Sequence, residues 1–317
     1  MKILITGGLG YLGSVLAEEL VSRGFNVCIA DTEIYGNFLP SYLKDNLRLV
    51  KNDIRSLEIS KYIQQSDVIV HLAAIVGDAA CDLIKKEAVD INLNGTKNVG
   101  KLCKKFNKKL IFTSTCSLYG ASNKVLKESS MVLPLSIYAL SKLAAENALE
   151  KIGGSFTIFR LATLFGYSHR MRFDLVVNAF IKEAIKEGKL TVFGGEQWRP
   201  FLHVRDAAEA LIRCIEKDFF EKEILNLHCM NIKIIDLARR IRNVLNCEIE
   251  VLEEIRDPRN YKVSSDKARK ALGYTPKRGI EDAIIEIKDA YNDRKMEVMS
   301  AYNNFGYLKD NRRRFGI

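Results

Sequence analysis

The chain opens with a short β-branched run, residues 2–6, that ends in Gly7-Gly8-Leu9-Gly10-Tyr11-Leu12-Gly13 and passes into a segment of helical periodicity. Strand, glycine turn and helix in that order leave few folds open. Gly7 permits a tight turn, Gly10 lets backbone approach a pyrophosphate, and Gly13 lets helix and strand pack closely. The start of the helix then offers free N–H groups and a positive dipole end to phosphates. A glycine pattern alone is weak. Its place between a strand and a helix, with an acid at the end of the next strand, makes it specific.

That acid is Asp31. A carboxylate there accepts hydrogen bonds from adenosine ribose hydroxyls and repels a 2′-phosphate, which selects NAD over NADP. No arginine follows it, only Thr32, Glu33 and Ile34. Asp53-Ile54, after the third strand, is a second candidate, beside the adenine. Apolar strand patterns at 2–6, 26–30, 47–53, 68–74, 109–115 and 156–162 alternate with helical patterns at 11–23, 56–65, 81–105 and 138–152. This alternation predicts an α/β chain: a Rossmann-type, doubly wound parallel sheet covered on both faces. The second half is less regular, with helical patterns at 173–188, 206–216, 232–245 and 279–294 and short strands at 190–194, 224–228 and 248–252. It reads as a smaller C-terminal α/β substrate-binding lobe. The resulting division is 1–165 for NAD, 166–294 for substrate, and a polar tail at 295–317, expected to be peripheral and poorly ordered.

Composition excludes several classes. With 317 residues, 47% hydrophobic and 28% charged, the chain builds a large core without staples and is not disordered. No apolar run is long enough to span a bilayer, and the N-terminus lacks a signal h-region, so the expected location is the cytoplasm. Seven cysteines, odd in number and without a CxxC, argue against disulfides and against a zinc or other metal site. The net charge of +10 admits nucleic acid, an acidic membrane or an anionic small molecule. It is spread along the chain, apart from Lys104, Lys105, Lys108 and Lys109 and from Arg312, Arg313 and Arg314, so the reading is no nucleic-acid and no membrane partner.

Tyr138 and Lys142 form a YxxxK arrangement, and positions i and i+4 share one helix face. A phenol is a poor base at neutral pH, and a neighbouring cation favours the phenolate. Such a tyrosine can take a proton from a sugar hydroxyl while the carbon is oxidised by a nicotinamide. Upstream, Phe112–Gly120 (FTSTCSLYG) supplies hydroxyls at the end of a strand.

These residues carry a resemblance. TGGLGYLG, Asp31, Asp53-Ile54, HLAA (71–74), NLNGTKNV (92–99), FTSTCSLYG, YALSK, FRLATLFG (159–166) and RPFLHVRD (199–206) resemble, in order, the extended short-chain dehydrogenase/reductases of the NAD-dependent nucleotide-sugar epimerase/dehydratase family. The resemblance implies catalytic roles for Thr115, Tyr138 and Lys142. It implies a cofactor site of Gly7, Gly10, Tyr11, Leu12, Gly13, Asp31, Asp53, Ile54, Leu72, Ala73, Ala74, Asn92 and Thr113, with Tyr138 and Lys142. It implies that Ser117 and Thr163 face the sugar, and that Asn178, Arg199 and Asp257 hold the nucleotide diphosphate or its ribose, with Arg259 and Tyr261 close by. It further implies a homodimer through helices at 92–106 and 138–152, and later strands that return to the first domain.

Departures narrow the activity. Relatives that eliminate water at the 4,6 positions carry Asp-Glu after the catalytic Thr; here Cys116 and Ser117 stand there. Relatives of the GDP-fucose synthase type place a cysteine where Ser117 is, so Cys116 is one residue out of register. Relatives of the UDP-galactose epimerase type carry a lysine where Val76 stands. IVGDAAC (75–81) and SHRMRFDLVVN (168–178) resemble a subgroup linked to polysaccharide sugars, which includes 4-epimerases and 4-dehydrogenases. The expected activity is therefore NAD-dependent C4 epimerisation of a nucleotide-diphosphate sugar. The alternative is a 4-dehydrogenase releasing the keto sugar. A non-catalytic dinucleotide sensor or RNA-associated protein is a third reading, disfavoured by the intact tyrosine and lysine.

Overall fold

The computed structural model describes residues 1–254, 257, 259–292 and 300–311. Seven strands form its central sheet: β1 (Lys2–Thr6), β2 (Asn26–Asp31), β3 (Arg48–Lys51), β4 (Val68–His71), β5 (Lys109–Thr115), β6 (Ser155–Leu161) and β7 (Glu221–Leu227). Every pairing is parallel, and the order across the sheet is β7-β6-β5-β4-β1-β2-β3. This is the expected Rossmann-type, doubly wound α/β sheet. Its strand order reverses between β1 and β4, which opens a crevice at the strands' carboxyl ends.

Alternation explains why the inner strands β1 and β4 are apolar over most of their length. On β1, Ile3 and Ile5 face one core and Leu4 faces the other. The first core lies under the helices Tyr11–Ser22 and Val204–Glu216; the second lies under Ile59–Gln65, Thr96–Lys105 and Ile137–Ile152. Each fully buried aliphatic side chain contributes about 1.5–3 kcal/mol. A strand with two buried faces can therefore carry no polar alternation without loss.

The long helical pattern at 81–105 is interrupted. It resolves into Asp78–Leu83, Lys85–Val89, a π-helical turn Asp90–Gly95 and Thr96–Lys105. The π turn delivers Asn92 inward, where its amide bonds both the N–H and C=O of Ile75 and the hydroxyl of Ser141. Gly95 also has to be small, because a Cβ there would meet the Ile54 side chain.

The lobe is built from short sheets: Met230–Lys233, Trp198–His203 and Thr163–Phe165 in that order, and the parallel pair Glu248–Leu252 with Lys189–Phe193. Another parallel pair, Asn260–Val263 with Ala121–Leu126, joins the lobe to the first half. After these lobe strands begin, the chain returns to the central sheet as β7, so no clean cut exists at residue 165.

The described part of the C-terminal segment is docked on the body of the protein. Residues 300–311 form a short turn, Ser300–Tyr302, and a helix, Asn304–Asp310, that bury Ala301, Tyr302, Asn304 and Leu308. Tyr302 packs on Phe38 and Phe173, and Tyr307 on Tyr35, so aromatic spacing rather than a long apolar stripe docks the segment. The rest of the tail reading, 295–299 with Arg312, Arg313 and Arg314, falls outside the described residues. Among the described residues, no helix is long and apolar enough to cross a membrane.

Candidate active site

A cleft of about 820 Å³ runs along the carboxyl ends of β1, β2, β4 and β5 and under the lobe. That is the size of a site for a large organic ligand. One end is the glycine turn. Gly7 has φ +74°, and a Cβ on it would lie 2.6 Å from the Ala73 nitrogen. A Cβ on Gly13 would strike the Gly7 carbonyl, whereas one on Gly10 would meet only that oxygen, at 3.2 Å, and project otherwise into open cleft. The helix Tyr11–Ser22 starts without a side-chain cap, so its first N–H groups lack intrahelical partners.

Asp31 ends β2 on the cleft wall. Its carboxylate accepts from Leu9 N at 3.0 Å and Glu33 N at 2.9 Å. Burial pushes its carboxyl upward, and those two N–H groups oppose the shift. Leu72, Ala73 and Ala74 floor the cleft after β4, and Thr113 does so from within β5, with Ile54 also on its wall. Asp53 also lines it, but its carboxylate is taken up by Arg55 at 2.6 Å, which bridges on to Glu87 and Asp90. The glycine cradle, the free helix start and Asp31 together fit NAD: phosphates at the turn, adenosine ribose at Asp31.

Thr115 closes β5. Its hydroxyl accepts from Ser117 N at 3.1 Å and lies 2.9 Å from the Ser117 hydroxyl. Tyr138 sits in the first turn of the helix Ile137–Ile152. Ser136 caps that helix, accepting from Ala139 N at 3.1 Å and donating to Asp78 at 2.6 Å. Burial raises the Tyr138 hydroxyl well above the ordinary phenol; Arg172 and Thr115 pull it down, Cys81 and Asp78 push it up. The lowering cation is thus Arg172, from the opposite wall. Lys142 lies one turn on, with its ammonium 4.3 Å from the Phe112 ring centre, and burial lowers its pKa to about 7. In this closed site, desolvation outweighs the charges around the phenol.

The far end holds Thr163, Arg199, Asp257, Arg259 and Tyr261. Arg199 reaches Asp257 at 3.1 Å, and Arg259 reaches Asp257 at 2.6 Å and Asp78 at 3.1 Å. Burial alone would raise the Asp257 carboxyl, but Arg259 and Arg199 hold it near 2. Arg256 and Pro258 of the same run lie outside the described residues.

Two expected ligand contacts stand elsewhere. Asn92 is not on the cleft surface; its amide braces the Ile75 loop. Asn178 is fully buried, accepting from Gly166 N and donating to the Tyr11 hydroxyl and the Arg172 carbonyl. Both position the residues that line the cleft, because an amide has the four hydrogen-bonding sites needed to lock a loop. Cys116 also points away, its thiol donating to the Arg160 carbonyl at 3.1 Å and pushed up by burial. Conversely, Arg170, Arg172, Asp174, Tyr35 and Asn304 line the cleft without having been assigned a role. The paired arginines in SHRMRFD were the available signal.

The family model described as the NAD dependent epimerase/dehydratase family matches residues 3–227. The chain belongs to that family. It is an enzyme of the extended short-chain dehydrogenase/reductase class with NAD as cofactor. Among its relatives, the UDP-N-acetyl-alpha-D-glucosaminuronate decarboxylase of Bacillus cytotoxicus is 33% identical over 251 residues, 71% of this chain and 74% of that one. UDP-glucuronic acid decarboxylase 4 of Arabidopsis thaliana is 27% identical over 94% of this chain and 71% of its own. The UDP-glucuronic acid 4-epimerase of Bacillus cereus, solved with UDP-glucuronic acid and NAD, superposes with a TM-score of 0.83 at 26% identity, covering 93% of this chain and 100% of that one.

Proposed function

We propose that the protein is an NAD-dependent C4 epimerase of a nucleotide-diphosphate sugar. What carries the reading is that, among the described residues, Tyr138 is the proton-transfer group beside Thr115 and no unpaired carboxyl accompanies it there. Asp53, Asp78, Asp174 and Asp257 on the cleft wall are each paired with an arginine, and Cys116-Ser117 supplies no carboxyl next to the threonine. Elimination needs a second proton-transfer group at the neighbouring carbons; reversible oxidation at one carbon needs only Tyr138.

Thr115 and Ser117 orient the C4 hydroxyl, and Tyr138 accepts its proton and later returns it. When bound, NAD supplies reversible two-electron oxidation at that carbon. Lys142 lies against the nicotinamide side of the cleft, and Arg199 and Arg259 face the substrate diphosphate. Release of the keto sugar, the 4-dehydrogenase reading, uses the same half-reaction. The relatives' names put UDP-sugars first among candidates. A homodimer through Thr96–Lys105 and Ile137–Ile152 belongs to the same proposal; Leu140 on the second helix is 53% exposed.

Incubation with NAD and a panel of UDP-, GDP-, CDP- and dTDP-sugars, followed by NMR, should yield one C4 epimer. Tyr138→Phe should lower turnover by about a hundredfold or more. Accumulation of reduced nicotinamide and keto sugar would select the dehydrogenase. No change in any sugar would refute both.

A further inference from the structure

Arg170 lies in the loop after the strand Thr163–Phe165, lines the cleft and is 2% exposed. Its Nη2 donates to the Ala301 carbonyl at 2.8 Å and to Asn304 Oδ1 at 2.6 Å. Both acceptors are neutral. The ring centre of Tyr35 lies 4.2 Å from the guanidinium carbon. Nε is buried without a hydrogen-bond partner. Among the described residues no carboxylate stands within ion-pair distance, since nearby Asp174 is taken by Arg172. A buried cation held only by neutral groups is costly until an anion arrives.

The same loop is fastened to the glycine turn. Ser168 donates to the Tyr11 carbonyl at 2.7 Å and meets the Ser14 hydroxyl at 2.9 Å, and Tyr11 donates to the Gly166 carbonyl at 2.6 Å. Arg170 also feels the charge of Asp31. Arg170 thus stands in a cleft-lining loop that is bonded to the uncapped start of the helix Tyr11–Ser22.

The segment 300–311 ties both walls together over this point. Asn304 donates to the Val76 carbonyl at 3.1 Å on one wall, while the Tyr302 carbonyl accepts from Phe173 N at 2.7 Å on the other. Leu308 is buried among Ile75, Cys81 and Ile84. The segment therefore spans the cleft between Val76 and Phe173.

We propose that Arg170 is the counter-ion of the cofactor pyrophosphate, and that residues 300–311 hold it there as a strap that retains the dinucleotide. The proposal rests on the NAD site above but not on epimerisation. Retention suits a reaction in which the cofactor is regenerated in place.

The test is calorimetric titration of wild type, Arg170→Met and Asn304→Asp with ADP-ribose, NAD and adenosine, at low and high salt. Asn304→Asp keeps the arginine and gives it a competing carboxylate. Both variants should weaken ADP-ribose and NAD by about tenfold or more, the scale of a lost charge-assisted contact. Adenosine, which lacks the pyrophosphate, should bind them as it binds wild type, and high salt should narrow the difference. If Arg170→Met does not fold, Asn304→Asp decides alone. Unchanged ADP-ribose binding in Asn304→Asp, or an equal loss for adenosine, overturns the proposal. Turnover is not read, so failure to epimerise any sugar leaves this outcome separate.

Discussion

Replacing Lys142 by methionine should stabilise the cofactor-free protein while abolishing turnover. The ammonium is 3% exposed, rests on the Phe112 ring, and burial lowers its pKa from 10.5 to about 7, with Glu146 opposing only in part. An unfolded chain keeps that proton up to 10.5, whereas the folded chain gives it up near 7. Between those values the unfolded state binds more protons, so folding stability rises with pH, and it falls again as pH returns toward 7. Each pH unit fully inside the window is worth about 1.4 kcal/mol, which gives about 2 kcal/mol between about pH 7 and 9. Methionine fills a similar volume and cannot titrate. In urea melts of the NAD-free proteins, the advantage of Lys142→Met over wild type should therefore be largest near pH 7 and shrink by about 2 kcal/mol toward pH 9. Comparing the two proteins cancels the other titrating groups. A difference that stays flat across that range would refute the argument that burial keeps this lysine near neutrality.

Other variants probe the surrounding structure. Glu146→Gln leaves Arg160 with a broken buried pair, now at 2.7 Å, and should cost about 3–5 kcal/mol in the same melts. Gly7→Ala puts a Cβ against the Ala73 backbone at a positive φ, and should abolish NAD binding in titration and destabilise by about 3 kcal/mol or more. Cys116→Ala should keep turnover within about twofold of wild type, since the thiol faces Arg160 and not the cleft.

Legibility in the sequence followed locality. The glycine turn, Asp31, Thr115, Tyr138 and Lys142 are spaced by the geometry of one strand, one turn or one helix face, and each lines the cleft. The limits of β1, β5 and the strand Glu248–Leu252 were readable for the same reason. Asn92 and Asn178 show where spacing stops informing. Their places in the chain suggest ligand contact, but a π turn and the Gly166–Arg172 loop aim their amides at backbone instead. The strands Trp198–His203 and Asn260–Val263 were not expected because their partners are far away in the chain. The docking of 300–311 rests on a few aromatic and amide contacts scattered over 35, 38, 76 and 170–173, which no window along the sequence samples.

The return of the chain to the central sheet as β7 has an engineering consequence. The helix Val204–Glu216, which covers the glycine-turn helix, and the edge strand β7 both come after the first lobe strands. A fragment ending at 165 would expose one flank of its own cofactor layer and lose the outer neighbour of β6. Transplanting sugar specificity from a relative therefore cannot be done by a single crossover. A chimera would have to keep 1–162 and the 204–227 return from one parent and change only the stretches outside them, with the strap chosen to match whichever parent supplies Arg170.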